Sequence, residues 1–82
     1  VLDLEEAVLG AMMIDKKGVD EVIDILKPEV FYKESHGIIY EAINALFHEA
    51  QPIDLLTVSA QLRKTGNLEL AGSDFYLIQL TF

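Results

Sequence analysis

Apolar residues recur every three or four positions along most of this 82-residue chain, which is the spacing of amphipathic helices. The first such segment runs from about Leu4 to Ile14. One face of it carries Leu4, Val8, Ala11 and Met12. Asp3 followed by Glu6 resembles an amino-terminal cap. Gly10 costs about 1 kcal/mol relative to alanine at mid-helix, so it predicts the close approach of another helix, the alternative being a tolerated defect.

A short second helix is predicted after a turn at residues 15–18. Its apolar positions are Val19, Val22, Ile23 and Leu26. Pro28 closes this helix, because proline has no amide hydrogen to donate, and could start a single turn over residues 28–32.

A longer helix is predicted from Ser35, a candidate cap, to about Glu49. Its apolar stripe consists of Ile39, Ile43, Leu46 and Phe47. We expect this to be the central helix of the domain.

Two further helices follow. Asp54 is well placed to cap the fourth, and Gly66 can serve as the left-handed residue just beyond its end. The link at residues 67–72 contains two alternating leucines, too few to predict a strand. Ser73 or Asp74 would cap a last helix that contains Phe75, Leu77, Ile78 and Leu80. The pattern predicts an all-α fold, a small orthogonal bundle of about five helices in a single domain over residues 1–82.

Composition narrows the class of protein. The formal charge is −8, from 14 acidic and 6 basic residues, which repels phosphate backbones and argues against direct binding of nucleic acid. The absence of cysteine excludes disulfides, zinc–thiolate sites and thiol nucleophiles. No apolar run approaches the ~20 residues of a membrane-spanning helix, and no signal peptide is visible. We expect a soluble, cytoplasmic protein.

The sequence contains neither a G-x-x-x-x-G-K-[ST] loop nor a G-x-G-x-x-G turn, so we expect no nucleotide site in this chain. His36 and His48 are its only imidazoles, and neither has a carboxylate three or four residues away on its own helix, as a helical metal site needs. We interpret His36 as a packing or hydrogen-bonding residue, with a ligand, partner or catalytic role as the alternative. His48 is expected to complement the helix dipole.

The other residues that could be catalytic or bind nucleic acid are better interpreted as surface, core or interface residues. Asp20 and Asp24 are predicted to lie on a solvated helix face, where neither carboxylate is tuned into a general acid. Ser35 beside His36 lacks a third, orienting group and points in a different direction. The aromatic residues are not interleaved with basic ones, so they predict core and interface anchors and not a stacking platform for bases.

Residue chemistry alone therefore predicts an acidic helical domain that binds other proteins, and we predict no catalytic, cofactor-binding or metal-ligating residue. A stand-alone helix-turn-helix DNA-binding domain is the main alternative, although the only basic cluster near a suitable helix is Arg63-Lys64. An orphan helical interaction module is another. A small hydrolase would require a carboxylic acid with a strongly raised pKa.

Five segments resemble, in order, the landmarks of the DnaB helicase amino-terminal domain family. Residues 5–15 (EEAVLGAMMID) resemble its opening helix, and residues 28–32 (PEVFY) its next landmark. Residues 36–43 (HGIIYEAI) are similar to its H-x-x-I-[YF]-x-A-I helix. Residues 51–58 (QPIDLLTV) are similar to its P-I-D-x-x-T-V turn, and residues 72–77 (GSDFYL) to its G-x-x-Y-L element. Together these segments cover almost the whole chain.

The resemblance implies a non-catalytic domain in the amino-terminal tier of a ring-shaped, usually hexameric, replicative helicase. Such a domain helps to assemble the ring and presents a surface to primase and, in some organisms, to a helicase loader. ATP and Mg²⁺ would be used by a separate RecA-like motor domain of the parent enzyme, which unwinds DNA passing through the ring. The family domain continues into a carboxy-terminal helical hairpin that pairs subunits, and we expect this sequence to be truncated before it.

Three residues at or near the start of the central helix are candidates for a partner interface. They are Tyr32, His36 and Tyr40. Amphipathic aromatic residues are frequent anchors in protein interfaces, and packing within the domain is the alternative.

Overall fold

A computed structural model describes residues 2–23 and 25–82, and these residues form five α-helices and one 3₁₀ turn. In chain order the elements are α1 (Leu2–Ile14), α2 (Lys16–Val22), the 3₁₀ turn (Pro28–Val30), α3 (Glu34–His48), α4 (Leu55–Lys64) and α5 (Ser73–Leu80). The predicted all-α bundle is therefore confirmed. Asp24, which we paired with Asp20 on a polar face, lies outside the described residues.

The ends of α4 form as the sequence predicts. The Thr57 amide donates to Asp54 Oδ1 at 2.9 Å and the Asp54 amide donates to Thr57 Oγ1 at 2.9 Å, which makes a reciprocal capping box. Gly66 has a φ of +77° at the other end. The Asn67 amide donates to the carbonyl of Leu62 at 2.8 Å, so the helix ends in a Schellman motif.

The starts of three helices differ from the prediction. Ser35 lies inside the first turn of α3, which begins one residue earlier after Lys33, a residue without a side-chain cap. Asp3 lies inside α1, which begins at Leu2. Gly72, with a φ of +101°, precedes α5 in place of a Ser73 or Asp74 cap. The Asp74 carboxylate is bound by Ser59 and Arg63 of α4 and so does not cap α5, whereas the buried Ser35 hydroxyl has no hydrogen-bond partner among the described residues.

The second helix is shifted toward the amino terminus. Asp15 accepts a hydrogen bond from the Lys17 amide at 3.0 Å, so the expected turn shrinks to one residue and α2 starts at Lys16. The helix ends at Val22 and not at Leu26. The Tyr40 hydroxyl donates to the Leu26 carbonyl at 2.7 Å, and this contact from α3 fixes the chain that leaves α2.

The core surrounds α3, which packs against α1, α4 and the 3₁₀ turn. Among the residues whose burial the structure describes, it contains fifteen buried apolar residues, Leu9, Met12, Met13, Val19, Ile23, Ile39, Tyr40, Ala42, Ile43, Leu46, Val58, Leu62, Ala71, Leu77 and Leu80. The predicted face of α1 was wrong in part: Leu4 and Ala11 are exposed, whereas Met12 is buried and Val8 packs against the core. Apolar residues surround α1 on most sides, so its neighbours, and not its own pattern, select the buried face.

Gly10 is buried at the contact between α1 and α5. A Cβ atom at this position would overlap the carbonyl oxygen of Leu80 and would lie 3.2 Å from its carbonyl carbon. The predicted close approach of another helix at Gly10 is therefore confirmed. Within the described parts of the chain, no helix has both the length and the apolar character needed to cross a membrane.

Candidate functional site

His36 lies in the first turn of α3 and is fully buried. Its Nδ1 lies 2.8 Å from Glu5 Oε1, and its Nε2 lies 2.6 Å from the Tyr76 hydroxyl. The Tyr76 hydroxyl is also 2.8 Å from Glu6 Oε2. These four side chains, which we call the His36 network, connect α1, α3 and α5 through a continuous series of hydrogen bonds.

Glu5 also binds the backbone that leads into α3. Its Oε2 accepts from the Tyr32 amide at 2.7 Å, and its Oε1 lies 3.5 Å from the Lys33 amide. The hydrogen bond with His36, followed by the bond from the Tyr32 amide, lowers the pKa of Glu5 below its ordinary value. A carboxylate from α1 thus binds the two amides that immediately precede α3, a helix that no local side chain caps.

Tyr76 is held in place from two sides. A Cβ atom on Gly72 would lie 2.8 Å from the Tyr76 Cβ, so only glycine leaves room for this side chain. Lys33 Nζ lies 4.9 Å from the ring centroid, within the range of a cation–π contact. Burial, and then the nearby carboxylate of Glu6, raise the pKa of Tyr76, so its hydroxyl stays protonated.

The Tyr76 hydroxyl is shared within the His36 network. An ionised Glu5 only accepts hydrogen bonds, so His36 Nδ1 is the donor in their contact. The Tyr76 hydroxyl contacts both His36 Nε2, at 2.6 Å, and Glu6 Oε2, at 2.8 Å. It therefore links the imidazole of α3 to a second carboxylate of α1.

The His36 network stabilises the fold and does not form an accessible active site. Both imidazole nitrogens face protein groups and the His36 side chain has no exposed surface, so a substrate has no direct access to it. The hydrogen-bonding interpretation of His36 agrees with these contacts. Among the residues that the structure describes, no group of three His, Cys, Asp or Glu side chains is arranged to hold a metal ion.

The three candidate interface residues lie in different surroundings. Tyr32 is 83% exposed, whereas His36 and Tyr40 are fully buried. The ring of Tyr40 lies 5.2 Å from that of Phe31, and its hydroxyl is directed at the backbone after α2. Of these three residues, only Tyr32 presents its side chain at the surface of the domain. Its contact with a partner stays a prediction.

In the Arg63-Lys64 cluster at the end of α4, Arg63 forms an ion pair with Asp74. Arg63 Nη2 lies 2.9 Å from Asp74 Oδ2, with both side chains about half exposed or more. The same carboxylate accepts a hydrogen bond from the Ser59 hydroxyl. Asp74 therefore links α4 to α5 and reduces the positive charge that Arg63 could offer to a phosphate.

Exposed apolar side chains form a distinct surface on the last helix. Phe75 is 70% exposed and Ile78 is 39% exposed, one helical turn apart on the same side of α5. Phe82 lies two residues beyond the end of α5 and is completely exposed. We call these three residues the α5 apolar face. Exposed clusters of this kind are typical of protein interfaces.

The fold and its contacts define a small all-α domain without an exposed catalytic group in the His36 network. A family model described as the DnaB-like helicase N terminal domain matches residues 1–81. The chain therefore belongs to the family of DnaB-like helicase amino-terminal domains, as the ordered motifs predicted. This assignment replaces the helix-turn-helix and hydrolase alternatives.

Individual relatives agree with the family. Replicative DNA helicase DnaB of Rhodothermus marinus is 48% identical over 80 residues, which are 98% of this chain and 8% of that protein. Replicative DNA helicase DnaB of Leifsonia xyli is 38% identical over 77 residues, 94% of this chain and 17% of that protein. The crystal structure of the N-terminal domain of DnaB helicase from Mycobacterium tuberculosis superposes with a TM-score of 0.95 at 36% identity, covering 99% of this chain and 58% of that one. The chain thus spans a small part of these helicases.

The sequence drew attention to His36 but did not reveal its partners. The hydrogen-bonded pairs are 31, 40 and 70 residues apart along the chain. Glu5, Glu6 and Tyr76 all lie in segments that resembled the family landmarks, which was the only sequence signal that could have singled them out.

Proposed function

We propose that this domain is a non-catalytic scaffold of a replicative DNA helicase. It supports assembly of a ring, with a hexamer as the expected form, and offers a binding surface to primase and, in some organisms, to a loader. The parent enzyme would unwind DNA in the cytoplasm with ATP and Mg²⁺ bound in a separate motor domain. The observation that carries the proposal is the α5 apolar face, in a domain whose family is that of the replicative helicases.

The α5 apolar face is suited to self-association because two of its three side chains, Phe75 and Ile78, are fixed on a short helix. The neighbouring Leu77 and Leu80 on the opposite side of α5 are buried in the core, so the helix itself is firmly seated. Burying exposed aromatic side chains against another subunit removes apolar area from water at roughly 25 cal/mol per Å². Interfaces of this kind are expected between subunits of a ring.

Ring assembly is tested by light scattering on the full-length helicase. Phe75→Gln and Phe82→Gln should shift the population from hexamers to smaller species. Leu56→Gln is the matched control, because Leu56 is 80% exposed on α4 and lies outside the α5 apolar face. Hexamers that survive both α5 substitutions unchanged would remove this face from the assembly.

Primase binding is tested separately by calorimetric titration of the full-length helicase with the carboxy-terminal domain of the cognate primase. Tyr32→Ala should weaken binding if the candidate interface is correct, since exposed tyrosines contribute strongly when they anchor an interface. An exposed apolar residue near the start of α4 supplies the control, Leu56→Ala. Absence of heat with the unsubstituted helicase would reject the primase role, and equal affinity of the Tyr32→Ala variant would reject Tyr32 as a contact.

A further inference from the structure

A groove with a volume of about 590 Å³ opens between two corners of the fold, where α1 meets α2 and where α3 leads into α4. Its apolar lining includes Met13, Ile14, Val19, Phe47, Pro52 and Ile53. The volume is in the range of pockets that accommodate small ligands or a few side chains of a partner. None of these residues belongs to the His36 network or to the α5 apolar face.

Hydrogen bonds hold the walls of this groove in position. At the end of α3 the Gln51 amide donates to the Leu46 carbonyl at 2.9 Å, and Ala50 adopts a left-handed φ of 56°. The chain then passes along the groove to Asp54, whose capping box fixes the start of α4. On the other side Met13 and Val19 are buried in the core. A groove that is formed in advance reduces the entropic cost of binding.

Both charged residues that line the groove are acidic. Asp20 and Asp54 are exposed lining residues, and the lining contains no lysine, arginine or histidine. Neither carboxylate forms an ion pair with another described residue. Asp54 uses Oδ1 for the Thr57 amide, which leaves Oδ2 available. The chain as a whole carries a charge of −8, which adds to the attraction of a cationic group toward this site.

We propose that this groove binds an amphipathic segment of a partner protein that inserts apolar side chains and places lysine or arginine beside Asp20 and Asp54. A helical segment fits best, because its apolar residues at intervals of three and four form a ridge while flanking cations reach both rims. The inference goes beyond the proposed scaffold function, and it can fail while ring assembly holds, since it uses different residues.

The test uses two synthetic helical peptides of about four turns with identical leucine and phenylalanine positions. One peptide carries lysine at the flanking positions and the other carries glutamate. Each is titrated into the ¹⁵N-labelled chain and followed by NMR. The lysine peptide should shift the amide signals of Met13, Val19, Gln51 and Ile53, and the glutamate peptide should bind at least about tenfold more weakly because like charges are brought together.

Substitutions of groove residues then measure how much each side chain contributes to the affinity for the lysine peptide. Asp20→Asn and Asp54→Asn should each weaken the lysine peptide about two- to fivefold, as expected for exposed charge pairs. Asparagine is itself a good amino-terminal cap, so Asp54→Asn preserves the start of α4. Ile14→Gln should weaken binding further by removing an apolar wall, and Ile14 is 66% exposed, so the fold should tolerate it.

Two matched controls lie outside the groove. Glu41→Gln removes an exposed carboxylate from α3, and Leu56→Gln removes an exposed apolar side chain from α4. Both should leave the affinity unchanged. Equal binding of the two peptides, signal shifts confined to other surfaces, or equal losses in the control variants would overturn the proposal. Failure to bind either peptide at millimolar concentration would overturn it as well.

Discussion

Gly10 of α1 lies directly against the backbone carbonyl of Leu80 in α5, with no side chain between the two helices. This contact brings α1 and α5 together. It also places Glu5 and Glu6, on the preceding turn of α1, within reach of α3 and Tyr76. The close approach at Gly10 therefore contributes to the geometry of the His36 network.

Gly10→Ala should destabilise the domain by about 1–3 kcal/mol, because a methyl group would overlap the Leu80 carbonyl oxygen and force the helices apart. The sign of the effect is decisive. At an open mid-helix position the same substitution would stabilise the helix by about 1 kcal/mol. Urea unfolding of the two proteins measures the difference, and a more stable Gly10→Ala variant would show that α1 and α5 are not in backbone contact.

Ala50→Gly is expected to have the opposite effect and to stabilise the domain by about 0.5–1 kcal/mol. Ala50 ends α3 with a left-handed φ of 56°, which a side chain disfavours and glycine adopts freely. Ala60→Gly is the control, because Ala60 is exposed inside α4 and its replacement should cost about 1 kcal/mol. Thermal unfolding of both variants tests this pair. A loss of stability at both positions would contradict the strained ending of α3.

Local signals in the sequence predicted the parts of the fold that depend on local chemistry. Asp54 and Gly66 were predicted as the two ends of α4, and the hydrogen bonds that form these ends join residues at most five positions apart. Gly10 was predicted to allow close approach because its cost to the helix required compensation. The sequence did not identify Leu80 as the neighbour, since nothing local to Gly10 depends on it.

The incorrect predictions concern features that tertiary contacts determine. The face of α1 that includes Leu4 fits a helical period as well as the face that includes Leu9 does, and only the positions of the other helices bury Leu9. Likewise, Asp74 looked like a cap for α5, but Ser59 and Arg63 of α4 bind its carboxylate. The candidate site was the hardest part to predict, because its hydrogen bonds join residues far apart in the chain.

Acid should weaken the domain through Glu5. Because the folded state lowers the pKa of Glu5 below its ordinary 4.5, the ionised carboxylate contributes stability above that pH. This contribution is lost as the pH falls through the lower pKa of the folded state. Glu5→Gln should therefore flatten the acid side of a plot of unfolding free energy against pH. Glu41→Gln, at an exposed position of α3, should leave the slope unchanged, and an unchanged slope in Glu5→Gln itself would argue against this role of Glu5.

The Tyr76 hydroxyl joins the two ends of the His36 network, because it lies 2.6 Å from His36 Nε2 and 2.8 Å from Glu6 Oε2. Tyr76→Phe removes this shared hydroxyl and should lower the free energy of unfolding by about 1–3 kcal/mol, since His36 Nε2 is left buried without its partner. Tyr32→Phe is the matched control, because it removes a hydroxyl from a side chain that is 83% exposed and should leave the stability unchanged. Urea unfolding of the two variants measures the difference. Equal stability of both variants would show that the Tyr76 hydroxyl does not hold the network together.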